Sequence, residues 1–525
     1  SCTGLPGGSF LCVFTNMVAG WYQMIELRNV SFAYDHAGKD PRGVDAINLL
    51  IEDGQFVVLC GKSGCGKTTL TRLINGLIPH FFEGVMDGAV FIDGKEINKQ
   101  SLAKTAQIVG SVFQNPRSQF FNVDTTSELA FGCENLGFPV EEIWERIDEA
   151  RATFGLDDLL DRNIFELSSG EKQRIACASV YAAGPDVFVL DEPSSNLDTP
   201  SVEMLRRVLE QLKAAGKTIV VSEHRLYYLS DLADRFIYLE SGKIFREFTS
   251  QALCAMKRDA LEQLGLRSPD AQKPEQNQGS TVLPQRDDAG ETIEIKNLRY
   301  RYGKNMALAI PYISLHGGEI TAVIGHNGSG KSTFAECFCG ILKHKGTVSL
   351  NGKALRRKER INKSYMVMQD VNHQLFTESV LDELTLNIPE ARKANTAAIL
   401  EAMGLGSFAD IHPLALSGGQ KQRVAVASAI CAGKEFLIYD EPTSGQDYQS
   451  MIATCDLIRK AAGEALLSLV ITHDMEFILN CCTSVLHLEK GTVKEYYPLD
   501  EAGIEKIKVY FYAKQGGYEI VQESA

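Results

Sequence analysis

The 525-residue sequence has no apolar run long enough to cross a bilayer, so no membrane-spanning segment is expected. Its thirteen cysteines include no CxxC pair, and several sit in apolar segments. That pattern argues against a disulfide or zinc framework and for a reduced, cytosolic chain. Positive charge is in deficit: 53 Lys and Arg against 67 Asp and Glu give a net charge of −14, which argues against a protein that coats nucleic acid. The stretch "FLCVFTNMVAG" (10–20) has no basic leader and is too short to span, so a signal peptide is not expected. The sequence starts at Ser1, and "MIELRNVSFAY" opens like a domain at Met24; residues 1–23 are read as an upstream extension. What is present, 44% hydrophobic and 23% charged, suits ordinary globular domains, and the length calls for more than one.

Two short stretches carry the chemistry. "GKSGCGKTT" (61–69) and "GHNGSGKST" (325–333) both fit Gly, four residues, Gly-Lys-Ser/Thr. Each follows an apolar run, "QFVVLC" or "EITAVI", and precedes a helical one, "TLTRLINGL" or "TFAECFCGIL". A strand, a glycine-rich turn and a helix N-terminus make an anion site, because glycine lets backbone N–H groups approach phosphate and the helix end adds positive charge. The first cradle comprises Gly61, Ser63, Gly64, Gly66, Lys67, Thr68 and Thr69. The second comprises Gly325, Asn327, Gly328, Gly330, Lys331, Ser332 and Thr333. Lys67 and Lys331 are placed to reach the β- and γ-phosphates, and Thr68 and Ser332 to set a hydroxyl on Mg²⁺. One such match is also what a tight turn looks like; two in the same strand–helix context indicate nucleoside triphosphate. Cys65, at a helix N-terminus beside Lys67, is expected to have a lowered pKa and to react readily.

The rest of the chain repeats as well. "DVFVLDEP" (186–193) corresponds to "EFLIYDEP" (435–442), an offset of 249 (440 − 191), and "LSSGEKQR" (167–174) matches "LSGGQKQR" (416–423) at the same offset. His224 and His473 are also 249 apart. The domain is therefore duplicated: residues 24–250 and 291–500, with a linker over 251–290 and a tail over 501–525. The polar stretch from 267 to 290 reads as flexible. Short apolar strands alternating with helical segments predict an α/β fold in each half, with a mainly parallel sheet and the phosphate loops at the strands' carboxyl ends.

Together these residues resemble ATP-binding-cassette ATPases, in two copies from about Met24 to the late 490s. The LSGGQ-type signature is the most specific element of the resemblance. It implies two fused P-loop ATPase domains, head to tail, with each ATP sandwiched between one half's phosphate loop and the other half's signature. By matching motifs, the first site would use Lys67, Thr68, Gln114, Asp191, Glu192 and His224, closed by Ser417, Gly419 and Gln420. The second would use Lys331, Ser332, Gln369, Asp440, Glu441 and His473, closed by Ser168, Gly170 and Glu171. Glu192 and Glu441 are the implied bases, His224 and His473 the γ-phosphate contacts. Thr68, Gln114 and Asp191, and likewise Ser332, Gln369 and Asp440, are the implied Mg²⁺ groups. Tyr34 and Tyr302 match the position that stacks on adenine, with packing as the alternative. "SSNLD" (194–198) and "TSGQD" (443–447) match loops that communicate across the dimer. In the first signature Ser169 stands where a glycine is usual and Glu171 where glutamine is usual. A Cβ at the first is expected to cost close contact, and a carboxylate at the second to oppose phosphate unless it points away. Two active sites are expected, the second slower.

The stretches after Gln114 and Gln369, "QNPRSQFFNVDTTSELAFG" and "QDVNHQLFTESVLDELTL", resemble those of energy-coupling-factor importers for vitamins or transition-metal ions, as does "SEHRLYYL". That resemblance implies a membrane coupling subunit and a separate substrate-binding membrane subunit as partners, no nucleic acid, and a peripheral place at the cytoplasmic face of the cell membrane. A sugar-importer ATPase, a ribosome-acting tandem ATPase and a nucleic-acid repair ATPase are the alternatives. The short Pro/Gly-broken linker, the acidic charge and the intact motif sets weigh against them.

Overall fold

The computed structural model of the chain describes residues 23–35, 42–195, 197–270, 290–386 and 388–512. The expected extension up to residue 22, the polar stretch 271–289 and the end of the tail from 513 lie outside the described residues.

Each half builds two sheets. In the first, a six-stranded sheet runs Lys243–Phe248, Arg235–Glu240, Phe56–Gly61, Thr218–Ser222, Val187–Asp191, Val109–Val112, parallel except for its first pair. Phe56–Gly61 is buried along its whole length, as expected of a central parallel strand. Its side chains alternate: Phe56, Val58 and Cys60 join a core formed with the helices, and Val57 and Leu59 join a core under the second sheet. That second sheet is antiparallel, ordered Arg42–Glu52, Gln23–Tyr34, Gly84–Ile92, Lys95–Glu96. The second half repeats the plan, with Ile320–Ile324 lying between Leu467–Ile471 and Ser484–Glu489. Phosphate loop, acidic strand end and histidine therefore emerge from neighbouring strand ends on one edge of each sheet.

The segments expected as linker and tail are partly folded. Helices Ser250–Cys254 and Arg258–Leu264 follow the first half, and Arg267 is buried. The helix Glu501–Tyr512 follows the second half and buries Ile507 and Phe511. Polar composition concealed both, because each docks through only a few side chains.

Candidate active site

The first cradle leaves Phe56–Gly61 through two glycines that no other residue fits. Gly61 has φ +142°, and a Cβ there would lie 2.3 Å from the Leu239 carbonyl; Gly66 has φ +105°, and its Cβ would lie 2.5 Å from the Gly43 carbonyl. Gly66 caps the helix Lys67–Ile74. Lys67 is buried and curls back over the loop, its Nζ donating to the carbonyls of Gly61 (3.0 Å) and Lys62 (3.2 Å). Lys331 does the same with Gly325 (2.8 Å) and His326 (3.1 Å). Thr68 Oγ1 donates to Asp191 at 3.2 Å, and Ser332 Oγ to Asp440 at 2.7 Å. Burial, reinforced by Glu192 alongside, pushes the Asp191 carboxyl up to about 6, and burial does the same to Asp440. A buried carboxylate beside a hydroxyl, at the foot of an anion cradle, suits a divalent cation; the residues present fit Mg²⁺.

Glu192 and Glu441 both sit in the left-handed backbone region, at φ 44° and 51°. A non-glycine residue held there is strained, and such strain collects at functional sites. In the first site Gln114 Nε2 donates to Glu192 Oε2 at 2.7 Å, and His224 Nε2 lies 3.5 Å from Oε1. Burial alone would raise Glu192, but His224, Lys67 and Gln114 hold it below the usual carboxylate range. Burial, with Lys67 nearby, lowers His224 and keeps the imidazole neutral. The second site is wired differently: His473 Nε2 is 3.8 Å from Glu441 Oε1, Thr472 Oγ1 donates to Oε2 at 3.2 Å, and Gln369 is exposed. Burial and then Asp440 push Glu441 up to about 7.

The halves meet across both cradles. A cavity of about 990 Å³ is lined by Tyr34, Ser63, Gly64, Gly66, Lys67, Thr68, Thr69, Gln114, Asp191, Glu192 and His224 from one half, and by Ser417, Gly419, Gln420 and Gly445 from the other. Ser63 N–H donates to Asp447 at 2.6 Å. At the second cradle Asn327 N–H donates to Asp198 at 2.8 Å, and Asn327 Nδ2 donates to Ser169 Oγ at 2.9 Å. Tyr34 turns its hydroxyl to Thr69 (3.1 Å) and accepts from Arg72 (3.1 Å), with Phe32 and Phe82 edge-on to its ring. Tyr302 is exposed, its hydroxyl 3.4 Å from Thr333.

Both signatures are helix starts. Ser168 and Ser417 cap the helices Ser169–Ala182 and Gly418–Ala432, and Glu171 and Gln420 close the capping boxes. The Glu171 carboxylate accepts from Ser168 N–H (2.8 Å) and Oγ (2.7 Å), and from Arg162 at 3.3 Å. It is spent on its own helix rather than aimed at phosphate. Gly170 packs so tightly on Ser201 that a Cβ would come within 2.1 Å of Oγ, while Gly419 has only the Gly445 carbonyl nearby, at 3.6 Å.

One expectation changes, and one residue was missed. Ser169 turns its hydroxyl to the opposing cradle, where it accepts from Asn327 Nδ2. Cys65 is buried, and burial outweighs Lys67, so its thiol is pushed up rather than down. Gly445 was missed: a Cβ on it would lie 2.9 Å from Glu192 Oε2 and 3.2 Å from Gln114 Nε2. Its only signal in sequence was a glycine inside "TSGQD".

A tandem pair of P-loop ATPase domains, interlocked so that each cradle meets the other half's signature, is the class this geometry defines. The chain belongs to the ABC transporter family, whose model matches residues 44–195 and 311–444. It is 45% identical over 475 residues to a Treponema denticola protein provisionally named as an ABC transporter ATP-binding protein, covering 90% of this chain and 96% of that one. A Bacillus subtilis protein provisionally named for HMP/thiamine import is 31% identical over 495 residues, covering 89% and 90%. Among solved structures, the archaeal ribosome recycling factor bound to a ribosomal stalk protein superposes with a TM-score of 0.60 at 19% identity, over 89% of this chain and 90% of that one. That likeness shows the shared fold. The chain is an ABC-type ATPase of the transporter ATP-binding class, and among the described residues no helix is long and apolar enough to cross a membrane.

Proposed function

We propose that the chain hydrolyses ATP at two composite sites and uses the cycle to drive a membrane importer of the energy-coupling-factor kind, taking up a vitamin or metal ion. The observation that carries the composite sites is the reciprocal grip of Ser63 on Asp447 and Asn327 on Asp198. Each half completes the other's cradle, so ATP binding draws the halves together.

In each site the cradle amides and the lysine hold the β- and γ-phosphates. Thr68, Asp191 and Gln114, or Ser332, Asp440 and Gln369, would hold Mg²⁺, which when bound neutralises phosphate charge. Glu192, fixed between Gln114 and His224, orients a water in line with the γ-phosphate and takes its proton. The neutral His224 holds the Glu192 carboxylate in place and meets the γ-phosphate. In the second site Glu441 does this work with Thr472 and His473. Glu192→Gln and Glu441→Gln should each cut turnover by more than tenfold without loss of ATP binding, since such a base contributes roughly 10²–10⁴. Near-normal turnover in either variant removes that site from the reading.

The importer reading is supported by the segments after Gln114 and Gln369, by exposed aromatics there, and by the import function in the Bacillus subtilis relative's name. Its partners would be a membrane coupling subunit and a substrate-binding membrane subunit, with this chain peripheral at the cytoplasmic face. Co-purification with a multi-span membrane protein tests it; co-sedimentation with ribosomes instead would overturn it.

A further inference from the structure

The two halves hold equivalent backbone carbonyls with different arginines. In the first half Arg225, next to His224, donates through Nη1 to the carbonyls of Ser194 and Leu197, each at 3.4 Å. The second half has Asp474 after His473, and a carboxylate cannot donate. There the carbonyl of Gln446, which corresponds to Leu197 at the offset of 249 (446 − 197), accepts from Nε of Arg267 at 3.1 Å. Nη1 of Arg267 pairs with Asp474 and lies 3.7 Å from Glu476. Arg267 is only 4% exposed and comes from the segment that joins the halves.

That segment is bonded to the same loop along its length. Tyr448, directly after Asp447, donates its N–H to the Gly265 carbonyl at 3.3 Å and its hydroxyl to Glu262 at 2.7 Å. Gly265 in turn abuts Lys62 of the first cradle: a Cβ there would lie 2.9 Å from Lys62 Cγ. One guanidinium thus stands one residue from Asp447, which grips the first cradle, and one residue from His473, which faces the second site.

We propose that Arg267 is a positioning residue that links the two ATP sites, tying the Gln446 carbonyl to the Asp474 carboxylate so that closure of one site sets the geometry of the other. The inference rests on the composite-site reading. The bland rival is a buried ion pair that merely stabilises the fold. The two part company when Arg267 and Asp474 are both neutralised, the third charge, Glu476, keeping its bond from Ser268 N–H and a side chain 21% exposed. A buried pair replaced by neutral residues of similar size regains stability, whereas the lost grip on Gln446 does not return.

The experiment uses the full chain and compares wild type, Arg267→Met, and Arg267→Met combined with Asp474→Asn; asparagine keeps a cap on the helix Met475–Cys481. Tm, binding of a fluorescent ATP analogue, kcat and the Hill coefficient for Mg-ATP are measured. The wild type should hydrolyse cooperatively. Arg267→Met should lose Tm and cooperativity, and the double variant should recover Tm while kcat stays roughly ten- to a hundredfold down, as for a catalytic group misplaced by about 1 Å. Analogue binding should hold throughout. Arg267→Lys, which keeps the charge pair but lacks a planar fork to reach Gln446 as well, should keep Tm and still lose cooperativity. Non-cooperative wild type, or full kcat and cooperativity in the double or lysine variant, overturns the proposal. If Glu192→Gln and Glu441→Gln leave turnover intact, it is the composite-site reading that fails.

Discussion

Ser63 and Asp447 are 384 residues apart in the chain and 2.6 Å apart in space, the backbone N–H of one donating to the carboxylate of the other. Asp447 also caps the helix Tyr448–Ala462 through Ser450 N–H. One carboxylate therefore serves a helix start in its own half and a phosphate loop in the other. Asp447→Ala should lose both, and turnover at the first site, measured in the Glu441→Gln background, should fall at least tenfold. Asp447→Asn keeps a capping oxygen but not the charge and should fall between. Equal activity of wild type and Asp447→Ala would show that the contact is not used in turnover.

Ser169→Gly restores the usual signature residue and removes the hydroxyl that Asn327 bonds. A hydrogen bond of net worth about 0.5–1.5 kcal/mol corresponds to a roughly two- to tenfold effect. Turnover at the second site, isolated in the Glu192→Gln background, should fall by that factor. A rise would mean that the serine obstructs closure.

The buried Cys65 should not react. Among the described cysteines only Cys254 is exposed, so limited maleimide treatment followed by peptide mapping should find Cys254 modified and Cys65 intact. Hydrolysis should be equally insensitive in wild type and Cys65→Ala. ATP-protected modification at Cys65 would contradict the burial.

Residues whose chemistry is fixed by spacing were legible in the sequence. The cradles repeat as a motif, the Asp-Glu strand ends and the histidines repeat at one offset of 249, and the central strands are plain apolar runs. What was not legible depended on where a side chain turns. Glu171 reads as a charge facing phosphate and is a capping-box partner. Cys65 reads as a thiol at a helix N-terminus and is buried in the core under the second sheet, where desolvation dominates. Arg267 sits in a stretch of linker composition and is buried because its partners, Asp474 and Gln446, lie some 200 residues ahead. Long-range pairs of single residues leave no periodicity to read.

Glu223, directly before His224, offers a pH test. It is buried, bonded to Ser194, and its second oxygen has no partner; burial pushes its carboxyl up to about 8. The folded chain then keeps this proton up to about pH 8, while the unfolded chain releases it near the ordinary value of 4.5. Between those values the unfolded state binds fewer protons, so this group makes stability fall as pH rises. Glu223→Gln should abolish that slope, and its Tm advantage over wild type should grow from pH 5 to pH 8. A difference in Tm that is constant over this range would mean the carboxyl does not titrate there.

The last prediction concerns the surface beside Gln114 and Gln369. Phe120 and Phe121 follow Gln114 at the distances at which Leu375 and Phe376 follow Gln369, and the structure divides the four. Leu375 is buried and Phe120 half-buried, whereas Phe121 is 75% and Phe376 71% exposed. The backbone that presents each is anchored from below by a buried carboxylate: Glu128 accepts from Phe121 N–H at 3.0 Å, and Glu383 from Phe376 N–H at 3.2 Å. Truncating either ring therefore leaves its loop held. Phe121 stacks on Phe131 with ring centroids 4.8 Å apart, and on the importer reading it and Phe376, at equivalent places in the two halves, are the rings a partner would cover. A membrane subunit laying a helix beside each loop would bury them and move Gln114 or Gln369 with it. Full burial of a phenylalanine is worth roughly 1.5–3 kcal/mol, so losing both should weaken docking by two orders of magnitude or more. Phe121→Ala with Phe376→Ala should keep the wild-type Tm and soluble ATPase rate and fail to co-purify with the coupling subunit. Loss of Tm would return these rings to the core, and normal docking would place the coupling surface elsewhere.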